Sequence, residues 1–267
     1  MGVIADMPRA SVNGIDIDYQ EYGPEDGNPE VIIFAHGAGG NLLSWFQQIP
    51  YFSINYRCVT FSHRGFGHSY DIGDGPGMKA FPGDLEALMD FLNIEKAHLV
   101  AQSMGGRTAL GFAVINSNRV LSLTLADTTG AMGEEDVEMA LSEWRQTHPD
   151  TRGIGFRALS DDFRTRKPEM SNLYLQISRT NPMRDASVPI LFGGPKGDKL
   201  SDLNMPVLFI VGEDDLLTPP HVLNLASKHI PGASLICVPG CGHSVYFEKP
   251  DVFNFEVGRF ISAASSS

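Results

Sequence analysis

Six short apolar runs restrict this chain to few architectures, because each is closed by glycine, proline or polar residues. They are "VIIFAH" (31–36), "RCVTFS" (57–62), "AHLVAQ" (97–102), "VLSLTLAD" (120–127), "PVLFIVG" (206–212) and "SLICVPG" (234–240). Most lack the apolar–polar alternation of a strand with one wet face, so they read as strands covered on both sides. Helix-length segments separate them. "GDLEALMDFLNI" (83–94) carries Leu85, Leu88, Met89 and Leu92 at helical spacing. "SMGGRTALGFAVIN" (103–116) follows one strand, and "PPHVLNLASKHI" (219–230) follows another with proline at its start. Strand and helix in alternation predict a mostly parallel α/β sheet with helices on both faces.

The alternation breaks between about 131 and 200, where "GEEDVEMALSEWRQTHP" and "PEMSNLYLQISRTNP" read as helices with no strand between them. That stretch holds 10 of the 20 Lys and Arg residues and 11 of the 32 acidic ones, so it is nearly neutral while the rest carries about −11 of the total −12. A helical insertion over one edge of the sheet explains both shifts. The expected division is a core of 1–130 with 201–267 and an insertion of 131–200. The acidic balance argues against nucleic acid or an anionic membrane as partner. Runs such as "VLFIV" (207–211) are too short to span a bilayer, and "MGVIADMPRA" lacks the basic and apolar regions of a secretory signal. Cys58, Cys237 and Cys241 have no metal-site spacing and read as reduced thiols. These features predict a soluble, cytoplasmic protein. The final "AASSS" is expected to fray.

One serine stands out. In "LVAQSMGGR" (99–107) Ser103 lies between a strand and a helix, with Ala101 two residues before it and Gly105 and Gly106 after. A strand turning sharply into a helix strains the backbone at the turn and tolerates only small neighbours. Such a turn lifts the hydroxyl above the carboxyl ends of the strands and aims the first helix amides at it. This is the G-x-S-x-G nucleophile elbow, with Ala101 in place of the first glycine. Three further features follow the order that acyl transfer needs. "HGAGG" (36–40) offers backbone donors, so the oxyanion hole is assigned to the N–H groups of Ala38 and Met104. "VGEDDLLTPP" places Asp214 and Asp215 after a late strand, where an acid orients the base. "PGCGHSVYFEKP" places His243 after the last strand.

In "HGAGG", "RGFGHS" (64–69), "AQSMGG", "GEDDLLTP" and "GHSVYFEKP" the chain resembles the α/β-hydrolase superfamily of serine hydrolases, from about residue 12 to 262. The resemblance implies an eight-stranded, mostly parallel sheet and makes the insertion a lid. It selects Asp215, three residues after the glycine, over Asp214, with Asp127 as a less favoured acid. It also implies a structural His36 that bonds backbone beneath the oxyanion turn. Ser62 departs from the pattern, since relatives commonly carry Asp two residues before the arginine of this motif. His63, His68, His148 and His221 are expected at the surface, and "RGFGHS" is expected to turn. Gln102, Trp144 and Arg107 are candidate substrate contacts. Arg152, Arg157, Arg164, Arg166 and Lys167 read as a solvated face or as a guide for a carboxylate substrate. The implied reaction needs no metal or organic cofactor: an ester or lactone is hydrolysed through an acyl-enzyme on Ser103. Other branches of the superfamily keep four alternatives open. They are hydrolysis of a carbon–carbon bond in dienoic ring-cleavage products, a menaquinone-pathway type of elimination, a low-turnover ligand receptor, and a cofactor-free oxygenase or perhydrolase.

Overall fold

The structure, a computed structural model, describes residues 8–183 and 194–266. Residues 184–193 of the expected insertion, and the first seven residues, lie outside the described residues. The chain opens with β1 (Arg9–Val12) and β2 (Ile15–Tyr22), an antiparallel hairpin turning at Asn13 and Gly14. Both turn residues have positive φ, 48° and 80°, the two-residue geometry that matches strand twist. Neither strand is among the six apolar runs, because β2 alternates "IDIDY" and then turns polar. The remaining strands are β3 (Val31–Ala35), β4 (Arg57–Phe61), β5 (Ala97–Gln102), β6 (Val120–Ala126), β7 (Val207–Gly212) and β8 (Ser234–Val238), and they coincide with the six runs.

All eight form one sheet in the order β1-β2-β4-β3-β5-β6-β7-β8. The β1–β2 and β2–β4 pairs are antiparallel and the others parallel. The helices are α1 (Ile49–Phe52), α2 (Phe81–Phe91), α3 (Gly105–Ala113), α4 (Glu135–Thr147), α5 (Ile154–Arg157), α6 (Asp161–Arg166), α7 (Pro168–Arg179), α8 (Asp198–Ser201), α9 (Pro220–Lys228), α10 (Val245–Glu248) and α11 (Pro250–Ser265). The two helices expected in the insertion are α4 and α7, with the short α5 and α6 between them.

Apolar side chains fill both faces of the sheet. On one face Leu99, Leu110, Leu123 and Phe209 belong to a core that includes Leu88 of α2 and Leu223 of α9. On the other, Phe34, Trp45, Val100 and Ile210 pack with Phe247, Phe253 and the α7 residues Tyr174 and Ile177. Each such side chain contributes about 1.5–3 kcal/mol by leaving water, which explains the unbroken apolar reading of β3, β5 and β7. The expectation fails at β8, where Ser234 and Cys237 are exposed because it is an edge strand. The C-terminus also departs from expectation. Instead of fraying at 263, α11 stays helical to Ser265, whose hydroxyl donates to Glu30.

The "RGFGHS" segment turns as expected, with Gly65 and Gly67 at φ 79° and 51°. Its Arg64 is buried and donates to Asp84 Oδ1 at 2.7 Å, Asp84 Oδ2 at 2.9 Å, Asp71 Oδ1 at 2.9 Å and the Asn13 carbonyl at 2.9 Å. One guanidinium therefore ties the hairpin, the turn and α2 together. Among the described residues no helix is long and apolar enough to cross a membrane.

Candidate active site

The turn between β5 and α3 holds Ser103 at φ 50°, a left-handed conformation that L side chains adopt only under constraint. Helix α3 begins at Gly105, two residues later than the sequence reading placed it. A Cβ on Gly105 would overlap the Ala35 carbonyl, and one on Gly106 would overlap the Thr128 side chain. The small residues after the serine thus let the helix start lie against the ends of β3 and β6. Ser103 Oγ lies 2.8 Å from His243 Nε2. His243 Nδ1 donates to Asp215, 2.8 Å from Oδ2 and 3.0 Å from Oδ1. The sequence-predicted nucleophile, base and acid are therefore brought into one line. Asp214, by contrast, has its side chain at the surface.

The Asp215 carboxylate is almost fully buried and well satisfied. Its Oδ1 accepts the N–H of Leu217 at 2.8 Å and of Thr218 at 3.0 Å. The Thr218 hydroxyl lies 2.9 Å from Oδ2 and 2.8 Å from the Asp127 carbonyl oxygen. Burial alone would lower the His243 pKa, but the charge and hydrogen bond of Asp215 outweigh it, with Asp127 and Glu248 adding. The imidazole pKa is raised above its ordinary 6.5.

Asp127 plays a different part. Its buried carboxylate accepts the N–H of Gly212 and of Val245, each at 3.1 Å, and so joins the end of β7 to α10. Burial, followed by the nearby charge of Asp215, pushes its carboxyl well above the usual range.

The "HGAGG" turn runs beside the serine: a Cβ on Gly37 would lie 3.1 Å from Ser103 Cβ. Among the described residues, the N–H groups of Ala38 and Met104 donate to no protein acceptor. His36 is fully buried beneath the turn. Its Nδ1 donates to the Gly37 carbonyl at 2.8 Å and its Nε2 accepts the His63 N–H at 2.9 Å, while burial lowers its pKa to about 4.

The same geometry corrects the reading of His63 as a surface residue. It is buried against His36, Phe61 and Phe81, with Nε2 2.8 Å from Thr108 Oγ1. The chain leaving β4 dives under the "HGAGG" turn before it reaches the surface. His68, His148 and His221 are exposed as expected. Ser62 accepts the Leu42 N–H at 3.3 Å and faces the Asp18 carboxylate at 3.5 Å, so the neighbouring strand β2 brings an acid to this position.

Of the candidate substrate contacts, Gln102 is buried and its amide nitrogen donates to the His243 carbonyl at 2.8 Å, tying the elbow to the histidine loop. Trp144 donates its indole N–H to the Leu216 carbonyl at 2.9 Å and stacks on His148. Arg107 is half-buried on the first turn of α3, and burial lowers its pKa.

Sequence reasoning missed four residues that hold this arrangement. Asn181, just past α7, donates to the Gly40 carbonyl at 3.1 Å, and its Oδ1 accepts the Gly67 N–H at 2.9 Å. Asn41 lies within 2.7 Å of Thr180 Oγ1 and 3.1 Å of Asn181 Oδ1. Glu248 is buried: Oε1 accepts the N–H of Ser160 at 3.0 Å and of Gly242 at 3.1 Å, and Oε2 accepts the Ser160 hydroxyl at 2.6 Å. Thr218 is the fourth, and the Asp-x-x-Thr spacing from Asp215 was a legible capping signal for it. The Tyr174 ring places its hydroxyl over Gly39 and 3.5 Å from Ser244 Oγ, and burial pushes that phenol up to about 12.

An eight-stranded sheet with a strained serine at the β5–α3 turn defines a class, and the comparison with known families agrees. Residues 30–250 match the family model described as alpha/beta hydrolase fold. The chain belongs to that family. It is 27% identical over 245 residues to 3-oxoadipate enol-lactonase 1 of Acinetobacter baylyi, covering 90% of this chain and 91% of that one. Est816, described as an N-acyl homoserine lactone degrading enzyme, superposes with a TM-score of 0.77 at 25% identity, over 95% of this chain and all of that one. A thermophilic esterase from Thermogutta terrifontis superposes with a TM-score of 0.79 at 21% identity, over 96% and 98% of the two chains, a likeness of fold.

Proposed function

We propose that this chain is a serine hydrolase that cleaves a carboxylic ester or lactone of a small substrate. The observation that carries the reading is the line from Ser103 Oγ to His243 Nε2 to Asp215, each step 2.8 Å at its shortest. Neutral His243 takes the Ser103 proton as Oγ attacks the carbonyl carbon. The carbonyl oxygen becomes an oxyanion and is received by the N–H groups of Ala38 and Met104. The imidazolium, stabilised by Asp215, passes its proton to the departing alkoxide. A water deprotonated by the same histidine then releases the acid and restores the serine. In this reading α4–α7 form the lid over the strand ends, and Gln102 positions the histidine loop.

Two relatives support a C–O bond as the one cleaved: the enol-lactonase at 27% identity and Est816, which degrades N-acyl homoserine lactones, at 25%. The test is Ser103→Ala against a short p-nitrophenyl ester, with fluorophosphonate labelling of both proteins. Turnover is expected to fall by about 10⁴-fold or more, with the label lost and the circular dichroism unchanged. Undiminished turnover in the variant would overturn the assignment. A wild type that takes the label yet turns over no ester or lactone would favour the receptor reading.

A further inference from the structure

A cavity of about 640 Å³ lies between the expected insertion and the loop after β7. Its size suits a small organic ligand. Arg152, Arg157 and Arg164 converge on it from the insertion, and Asp214 and Asp215 face it from the loop. Two of the three guanidiniums are already neutralised. Arg152 pairs with Asp150, Arg164 pairs with Asp161, and both stack on the Phe156 ring, 4.4 Å and 3.6 Å from its centroid.

Arg157 differs from its neighbours. It is half-buried, its Nε is enclosed, and among the described residues that N–H meets no acceptor; the Asp150 carboxylate acts on the guanidinium electrostatically but forms no close ion pair with it. A buried donor left unmade costs about 1–3 kcal/mol, and a planar guanidinium fork matches a carboxylate.

The acids on the opposite wall limit what could satisfy it. Asp215 is engaged by His243, and Glu213 accepts the Gly240 N–H at 3.3 Å. Asp214 is exposed and its carboxylate has no ion pair among the described residues, and Glu213 meets only a neutral amide, so two negative charges without a cationic partner face the ligand. A dianion is disfavoured there, and a monoanion is accommodated.

We propose that this cavity is a binding site for a monocarboxylate, with the Arg157 guanidinium as its fork. Asp215, the carboxylate that holds His243, lines the same cavity, whereas Ser103 and His243 do not. The carboxylate comes either from the substrate's own remote acid group or from a free acid such as the hydrolytic product. Only this choice of source rests on the hydrolase reading; the binding itself does not.

The experiment titrates the Ser103→Ala chain with phenylacetate and with neutral phenylacetamide by calorimetry, then repeats both in Ser103→Ala backgrounds carrying Arg157→Gln, Arg157→Lys or Asp214→Asn. Phenylacetate is expected to bind and the amide is not. Arg157→Gln should weaken phenylacetate at least tenfold, Arg157→Lys should weaken it less, and Asp214→Asn should tighten it. Equal binding of acid and amide, or unchanged binding in Arg157→Gln, would overturn the proposal even if the enzyme hydrolyses esters.

The source follows from turnover with Ser103 intact, comparing p-nitrophenyl acetate with a p-nitrophenyl ester that carries a free carboxylate. If Arg157→Gln loses kcat/KM on the acidic ester alone, the substrate's own carboxylate is the ligand. If phenylacetate slows the neutral ester in wild type and no longer does so in Arg157→Gln, the ligand is a free acid.

Discussion

At the scale of single residues, the site rests on which charges survive burial. His243 is enclosed, and enclosure by itself would leave it a weak base, so its raised pKa depends on Asp215. With His243 as the proposed base, kcat/KM is expected to rise with pH through a value above 6.5. In Asp215→Asn burial is left largely unopposed. The acid limb of kcat/KM is expected to move below 6.5, while kcat falls by about 10⁴-fold; a pH–rate profile with a proton titration of His243 checks both. Ser103, Asp215 and His243 were legible because each rides on a turn whose glycines and small residues mark it in one dimension. Asn41, Asn181 and Glu248 were not. Each has a partner far away in the chain, Gly67 and Asn181 being 114 positions apart, and no local pattern announces such a meeting.

At the scale of elements, helix α7 is attached to the turn that follows β3. Asn181 joins the end of α7 to Gly40 on one side and Gly67 on the other, while Asn41 reaches back to Thr180. This attachment keeps α7 in place as part of the turn's scaffold. Asn181→Leu leaves the Gly40 carbonyl and the Gly67 N–H without this partner, a loss of about 1–3 kcal/mol in denaturant unfolding. It is also expected to slow fluorophosphonate labelling of Ser103 and lower kcat more than it changes KM, because the turn that carries Ala38 loses its brace. The first hairpin is an element that sequence could have supplied, since Asn13-Gly14 between alternating residues is a strong turn signal. β1 and β2 carry too few apolar residues to stand out as apolar runs.

For the whole molecule, chain order and spatial order part company. β3 sits between β4 and β5, so the turn with Ala38 and the turn with Ser103 become neighbours although more than sixty residues separate them. The apolar runs predict that a parallel sheet forms, but adjacency within it depends on crossovers that no single run encodes. The net charge was legible outright. What holds the antiparallel end to the rest was not: Arg64, with its side chain 1% exposed, is paired to Asp84 at 3% and Asp71 at 23%. Arg64→Met would leave Asp84 buried without its counter-ion, and global stability is expected to fall by about 3–5 kcal/mol. A shift of the urea midpoint with unchanged slope measures it.

Glu248 sets the demands of the fold against those of the proposed base, His243. Burial raises its pKa above 4.5 despite the hydrogen bonds it accepts, so the folded chain would hold a proton there more readily than the unfolded one. By linkage its ionised form opposes folding at neutral pH, yet that same charge raises the proton affinity of His243. An uncharged amide at 248 can still accept both N–H groups and donate to Ser160. Glu248→Gln should therefore make the protein harder to unfold at pH 7 and move the histidine titration toward acid. Selection for robustness and selection for turnover would pull this one position in opposite directions.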